Sequence, residues 1–155
     1  MESALNLAEN VNRIQVSAAA IIREGEGGLE LLSARRTGRP VELAGGWEFP
    51  GGKWDPGEDG LMALHREIYE EVGVIGLNVL HWLQGDLANG AWSMGDAYAL
   101  HVYVCTLPAG VEPKLREQHD ALAWLPLADA EQVPWLEVDL PPLRALVSWL
   151  GGGAE

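Results

Sequence analysis

Residues 52–74 carry one pattern, Gly52-x5-Glu58-x7-Arg66-Glu67-Ile68-x-Glu70-Glu71-x-Gly73-Val74, and it dictates both a local structure and a chemistry. After the turn-forming triplet Asp55-Pro56-Gly57, the stretch Gly60 to Val72 reads as a helix. Leu61, Leu64, Ile68 and Val72 recur at helical spacing and predict its buried stripe. Gly73 stands where a residue at the C′ position ends a helix. Glu67, Glu70 and Glu71, related by i, i+3 and i+4, share a face beside that stripe. They lie in the last turns, where the helix dipole is already negative, and they repel one another. A solvated acidic face is the ordinary fate of such a run. Acids placed against both local rules, inside a pattern this restrictive, point instead to a function that needs them together.

Clustered hard oxygen ligands without His or Cys suit Mg²⁺ or Mn²⁺. A phosphate chain facing bare carboxylates is repelled, but with a divalent cation between them the same carboxylates become its binding site. The cation also polarises phosphoryl oxygens and generates hydroxide from bound water. Arg66, adjacent to Glu67, is expected to orient the glutamates through charge-assisted hydrogen bonds.

The 155 residues suffice for one domain with a real core, and 48% are hydrophobic with a mean hydropathy near zero, as in a globular protein. Twenty-three acidic against 10 basic residues give a formal charge of −13. That balance excludes a nucleic-acid surface, which needs a basic patch. The single Cys105 excludes an intrachain disulfide framework and reads as a strand core residue. Neither a secretory leader nor a transmembrane run is visible, so a cytoplasmic location is the default expectation.

Along the chain, residues 1–13 read as an N-terminal extension, 14–150 as the domain, and 151–155 as a frayed tail. Gln15–Arg23 and Leu29–Ala34 are expected to form a hairpin across the glycines at 25–28. Thr37–Gly46 reads as a loop, and Trp47-Glu48-Phe49 as a short strand leading into Pro50-Gly51-Gly52. Strands are expected at Ile75–Leu83, Ala97–Leu107 and Ala121–Leu125, with Gly85–Asp96 a loop. Leu127–Gln132 reads as a helical turn, and Leu140–Leu150 as a helix with Pro141-Pro142 in its first turn. Trp82, Trp124 and Trp149 are assigned to the core. Trp92 and Trp135 fall in loops, where stacking on a base is the minority alternative to a bland role. Asp86 and Asp96 read as turn residues. These features together make a single α/β domain.

Taken together, the motif resembles the Nudix box of the Nudix hydrolases at every defining position. The run Trp47-Glu48-Phe49-Pro50-Gly51-Gly52-Lys53 is similar to the segment that precedes the box in the MutT-type nucleoside triphosphate pyrophosphohydrolases. The resemblance implies an α/β/α sandwich with a mixed β-sheet. It assigns Glu67, Glu70 and Glu71 as metal ligands, with Glu58 and the carbonyl of Gly51 contributing, and Arg66 as their structural partner. It places Phe49 at the base pocket, Lys53 and Arg35 near the nucleotide, and a base-reading role on Asp139 within Val138-Asp139-Leu140-Pro141. Asp139 is equally a candidate helix N-cap, and one residue can serve both ends.

One departure matters. The branch often carries a glutamate in E-H-x-x-x-x-W, and counting back from Trp124 puts Gln118 in that slot, with Glu117 one residue early. A neutral amide is a poor metal ligand and no general base. The base is therefore a box glutamate or Glu117. His119 is a weak candidate for proton transfer and more readily a surface residue.

The implied activity is Mg²⁺-dependent hydrolysis of a (deoxy)nucleoside triphosphate to monophosphate and pyrophosphate, with oxidised guanine or cytosine nucleotides among the candidates. Alternatives are ADP-ribose, dinucleoside polyphosphates or nucleotide sugars on the same fold, or a nucleotide-binding sensor without turnover. RNA cap removal is disfavoured by the acidic surface. The expected partner is the nucleotide alone, with no nucleic acid and no membrane.

Overall fold

The computed structural model describes residues 13–38 and 40–152. The proposed N-terminal extension, apart from Arg13, lies outside the described residues. Its organising element is the first strand, β1 (Ile14–Gly25), which is long enough to serve two sets of partners. Its first part pairs parallel with β7 (Tyr98–Thr106) and antiparallel with β4 (Gly51–Lys53). Its end forms a hairpin with β2 (Gly28–Arg36). β2 then carries β3 (Trp47–Glu48) and β8 (His119–Pro126), both antiparallel. β7 carries β5 (Asn78–Leu83) and β6 (Trp92–Met94), also antiparallel. The result is a mixed sheet with β1 at its centre.

A central strand is buried on both faces, and β1 shows why its sequence is continuously apolar from Ala18 to Ile22. Ala18, Ala20 and Ile22 point into one cluster with Leu100, Val102, Val104, Leu143 and Leu146, beneath the C-terminal helix α2 (Leu140–Gly152). Ala19 and Ile21 point into the other, with Leu64, Ile68, Val72 and Cys105, beneath the helix α1 (Gly60–Val72). This is the α/β/α sandwich.

α1 occupies the span expected of it. Asp59 caps its N-terminus by accepting the Met62 N–H at 2.9 Å, and Gly73 ends it in the left-handed region (φ 70°) with its N–H on the Tyr69 carbonyl. The stripe needs one correction. Leu61 is 46% exposed, and Gly60 takes the buried place in the first turn, close under the Tyr103 hydroxyl. The Ser17 hydroxyl donates to the Gly60 carbonyl at 2.8 Å and fixes that docking.

Other boundaries shift for recognisable reasons. The expected loop 85–96 contains β6, and β4 was not expected, because three-residue strands rich in Gly or interrupted by turns have no periodicity to read. The strand expected at Ile75 begins only at Asn78, after the positive-φ Gly76. Residues Gly151 and Gly152 continue α2 rather than fraying from it.

The two leucines of the stripe give the first test. Leu64→Ala should lower stability by about 2–5 kcal/mol, the usual loss for a buried aliphatic truncation, whereas Leu61→Ala should change it by less than about 0.5 kcal/mol. Urea denaturation midpoints at constant m-value measure both, and equal effects would contradict the placement of the first turn.

Candidate active site

The Nudix-box acids are arranged around one guanidinium. Arg66 grips Glu58 with two parallel bonds, Nε to Oε2 at 2.7 Å and Nη2 to Oε1 at 2.9 Å. Its Nη1 reaches Glu67 Oε2 at 3.3 Å and Glu70 Oε2 at 3.2 Å, while Nη2 also donates to the Lys53 carbonyl at 2.9 Å. Asp55 adds a further contact at 3.2 Å. The turn before the helix is closed by Glu58 itself, whose Oε1 accepts the Asp55 N–H at 2.7 Å. Thus Arg66 ties the turn, β4 and the helix face together.

The helix face is graded rather than uniform. Glu70 is exposed, Glu67 is half-buried, and Glu71 is buried against the sheet, accepting the Gly51 N–H at 3.0 Å. The charges follow that gradient. The Arg66 fork holds the Glu58 carboxyl down at about 2. Burial raises Glu67, with the Arg66 charge opposing it. Burial pushes Glu71 up to about 7, against the pull of the Gly51 N–H. A divalent cation beside Glu71 favours its carboxylate form.

β4 makes room for this. A Cβ on Gly52 would collide with the Glu67 carboxylate, so only glycine lets that side chain lie on the strand. The oxygens that could hold a cation here, those of four glutamates and a backbone carbonyl, are all hard and would suit Mg²⁺ or Mn²⁺. Among the described residues no three acids, histidines or cysteines converge at coordination distance, because Arg66 stands between Glu58, Glu67 and Glu70.

Beside the acids runs a cleft of about 230 Å³ lined by Glu70, Glu71, Arg116, Glu117 and Gln118. Glu117 is exposed on its rim, together with Gln118. Lys53 is exposed on β4, with Nζ 5.7 Å from the Tyr98 ring centre. Trp54 is half-buried, its Nε1 donating to Ser17 Oγ at 2.8 Å and its ring 5.0 Å from His101.

A second polar group lies further in, and the sequence reasoning missed most of it. Glu48 takes Arg36 Nη1 on Oε1 at 3.2 Å and His119 Nε2 on Oε2 at 2.9 Å. His119 is not a surface residue: it opens β8, pairs in register with Arg36, and is 4% exposed. Asp139 is buried as well, at the end of a 3-10 turn running straight into α2. Burial raises its carboxyl well above the usual range, Glu48 adds to that, and the Phe49 N–H bond opposes it. Phe49 itself is buried and packs 5.2 Å from Trp135. Trp135, expected in a loop, is core: it bridges to Trp47, and its Nε1 donates to the Ala130 carbonyl at 2.7 Å. Trp92 lies half-buried in β6 with Nε1 on the Leu83 carbonyl. Arg35 faces away from this group, paired with the exposed Asp120 at 2.6 Å. A polar residue inside the apolar run Trp47–Phe49 was the available signal for Glu48.

The Gly52 notch is directly testable. Gly52→Ala should displace Glu67 and reduce metal-dependent turnover by at least about tenfold while the fold persists, since the clash is with a side chain that can rotate away. Calorimetric titration with Mn²⁺ should show weakened binding. Unchanged turnover and Mn²⁺ affinity would remove Glu67 from the site.

Comparison with known proteins agrees with this geometry. The NUDIX domain model matches residues 13–147. The chain is 38% identical over 144 residues to the putative 8-oxo-dGTP diphosphatase 2 of Mycobacterium tuberculosis, covering 93% of this chain and 94% of that protein. It is 30% identical over 135 residues to the CTP pyrophosphohydrolase of Escherichia coli, covering 87% and 92%. The crystal structure of a C. elegans Ap4A hydrolase binary complex superposes with a TM-score of 0.70 at 22% identity, over 90% of this chain and 98% of that one, and so shares the fold. The acids on α1, the glycine strand that receives them and the sandwich that holds both belong to one family, and this chain is a Nudix hydrolase of the MutT type.

Proposed function

We propose that this enzyme hydrolyses a (deoxy)nucleoside triphosphate with water to the monophosphate and pyrophosphate, in the cytoplasm, using Mg²⁺ or Mn²⁺. The observation that carries the reading is the acid cluster built on the Gly51–Gly52 strand, with Glu67 lying in the notch that glycine leaves. Glu58, Glu67, Glu70, Glu71 and the Gly51 carbonyl are its metal-holding atoms. When bound, the cation neutralises phosphate charge and supplies activated water. Substitution at phosphorus asks the protein for positioning and charge neutralisation more than for covalent help.

Arg66 keeps Glu58, Glu67 and Glu70 within reach of one another in the free enzyme, and so lowers the reorganisation needed when the site assembles. A box glutamate is one candidate for the general base, since a carboxylate held beside a cation can take the proton of the attacking water. Glu117, exposed on the cleft rim, is the other candidate, and Glu117→Gln separates them through kcat. Nucleic acid is a poor partner for a chain of formal charge −13, so the substrate is a free nucleotide.

For the base, two relatives carry the names putative 8-oxo-dGTP diphosphatase and CTP pyrophosphohydrolase, and we extend those two substrate classes to this chain. Asp139 is assigned to read the base edge, with Phe49 supporting the pocket wall from beneath. A carboxylate only accepts hydrogen bonds, but burial favours the neutral acid here, which both donates and accepts. Cytosine and guanine-type triphosphates, the 8-oxo form included, are expected to outrank uracil and thymine ones in kcat/KM.

Two measurements test the reading. Glu70→Gln and Glu71→Gln should each lower Mg²⁺-dependent turnover by roughly a hundredfold or more, and Glu71→Gln should stabilise the metal-free fold, since a neutral amide is buried more cheaply and keeps the Gly51 bond. Near-normal turnover in Glu70→Gln would end the assignment, and binding without any hydrolysis would favour the sensor alternative.

The base pocket is read by a pair of variants. Asp139→Asn, which also offers a donor and an acceptor, should fold and keep the base ranking within a few-fold. Asp139→Ala should flatten the ranking by about tenfold or more without changing the Mg²⁺ requirement. If Asn proves as damaging as Ala, the ionised carboxylate is the working form.

A further inference from the structure

The cleft beside the acids has two unlike walls. The α1 wall presents Glu70 and Glu71. The opposite wall is a loop presenting Arg116, Glu117 and Gln118. That loop is pinned to the end of α1 by the Lys114 N–H on the Val72 carbonyl at 2.8 Å, and folded back by the His119 N–H on the Arg116 carbonyl at 3.2 Å. Arg116 is thereby the cation of the cleft. Its guanidinium lies over the Tyr69 ring, 5.7 Å from the centroid, and against Gly73, where an added Cβ would approach Nη2 to 2.9 Å. Among the described residues no carboxylate lies within ion-pair distance of it, although three acids share its cleft and the chain carries an excess of thirteen negative charges. The other arginines beside the site are already engaged: Arg66 by the box acids, Arg36 by Glu48 and Arg35 by Asp120.

An unpaired arginine resting on an aromatic ring, in one cleft with acids proposed to recruit phosphate through metal, is chemically a phosphate receptor. The planar fork of a guanidinium matches two oxygens of a phosphate. The ring holds it without consuming its donors. We propose that Arg116 is a specificity-determining residue that receives the terminal phosphate of the substrate, so that the enzyme recognises the length of the phosphate chain. This rests on the triphosphate reading above and adds to it the residue that counts phosphates. A cation at a helix C-terminus also serves the helix dipole, and the test separates the two roles.

The experiment compares wild type, Arg116→Ala and Arg116→Lys on the triphosphate and the diphosphate of one cytosine nucleoside at saturating Mg²⁺, with melting temperatures recorded for each protein. For Arg116→Ala, KM for the triphosphate should rise about tenfold or more with kcat changed less than about threefold, as expected when a hydrogen bond to a charged group is lost. Its kinetics on the diphosphate should stay within about twofold, and Arg116→Lys should recover part of the triphosphate KM. Equal losses on both substrates, or a lowered melting temperature with no change in the triphosphate-to-diphosphate ratio, would assign Arg116 to the helix end and overturn the proposal. Wild type that hydrolyses neither nucleotide would instead overturn the triphosphate reading. Binding of a nonhydrolysable α,β-imido triphosphate, measured by calorimetry on wild type and Arg116→Ala, then decides Arg116 by itself: a tenfold weaker affinity supports it, and equal affinity rejects it.

Discussion

The site depends on one arginine standing among like charges. Without a counter-charge, Glu58, Glu67 and Glu70 would repel one another and the turn before α1 would lose its closing bond. Arg66 removes that penalty and converts the acids into the ends of one cross-link between turn, strand and helix. The grip is uneven. Glu58 holds two short bonds, whereas the contacts to Glu67 and Glu70 are at 3.2–3.3 Å, near the limit of a useful hydrogen bond. Glu58 is therefore fixed, and the helix acids are left available to a stronger cation.

The same economy explains the glycines of β4. A strand that must touch β1 on one side and admit a carboxylate on the other has no room for side chains. β4 is placed by its register against Val16–Ala18, and Gly52 by the presence of Glu67. The backbone thereby becomes part of the site: the Gly51 N–H holds Glu71, and the Lys53 carbonyl holds Arg66.

What could be read from the sequence was the local and periodic part. The span of α1 and its glycine stop followed from spacing and from the conformational preference of Gly73, because both are decided within a few residues. The layers came from the family resemblance and not from the patterning, although the apolar run of β1, whose alternate residues face the two helices, is what fills both of them. Pairings between distant segments were not legible. His119 looked like loop polarity, yet the β2–β8 register buries it on Glu48, 71 positions earlier in the chain. Trp135 looked available to a base, yet its segment returns to pair with Trp47. Leu61 obeyed the helical period but lies in the first turn, where Gly60 beneath Tyr103 takes the contact with the sheet.

The polar group of buried His119 and Asp139 with half-buried Glu48 and Arg36 gives this long-range pairing a consequence for chemistry. Glu48 sits on a two-residue strand, and the next residues of that segment deliver the Phe49 N–H to Asp139 and the Gly51 N–H to Glu71. The end proposed to read the base and the end proposed to hold metal are thus joined by three consecutive residues, Phe49-Pro50-Gly51. Glu48 clamps the start of that run, held by Arg36 of β2 on one oxygen and His119 of β8 on the other, while the Ala19 N–H on the Pro50 carbonyl and the β1–β4 register hold its far end. A shift of this short segment would move both ends at once, since it has no ladder of its own long enough to resist. Removing a partner of such a partly buried charged group costs more than the bond itself, because the remaining charge loses its compensation. The two ends of the site therefore share one short run of backbone, held by the Glu48 clamp at its start and by β1 at its end.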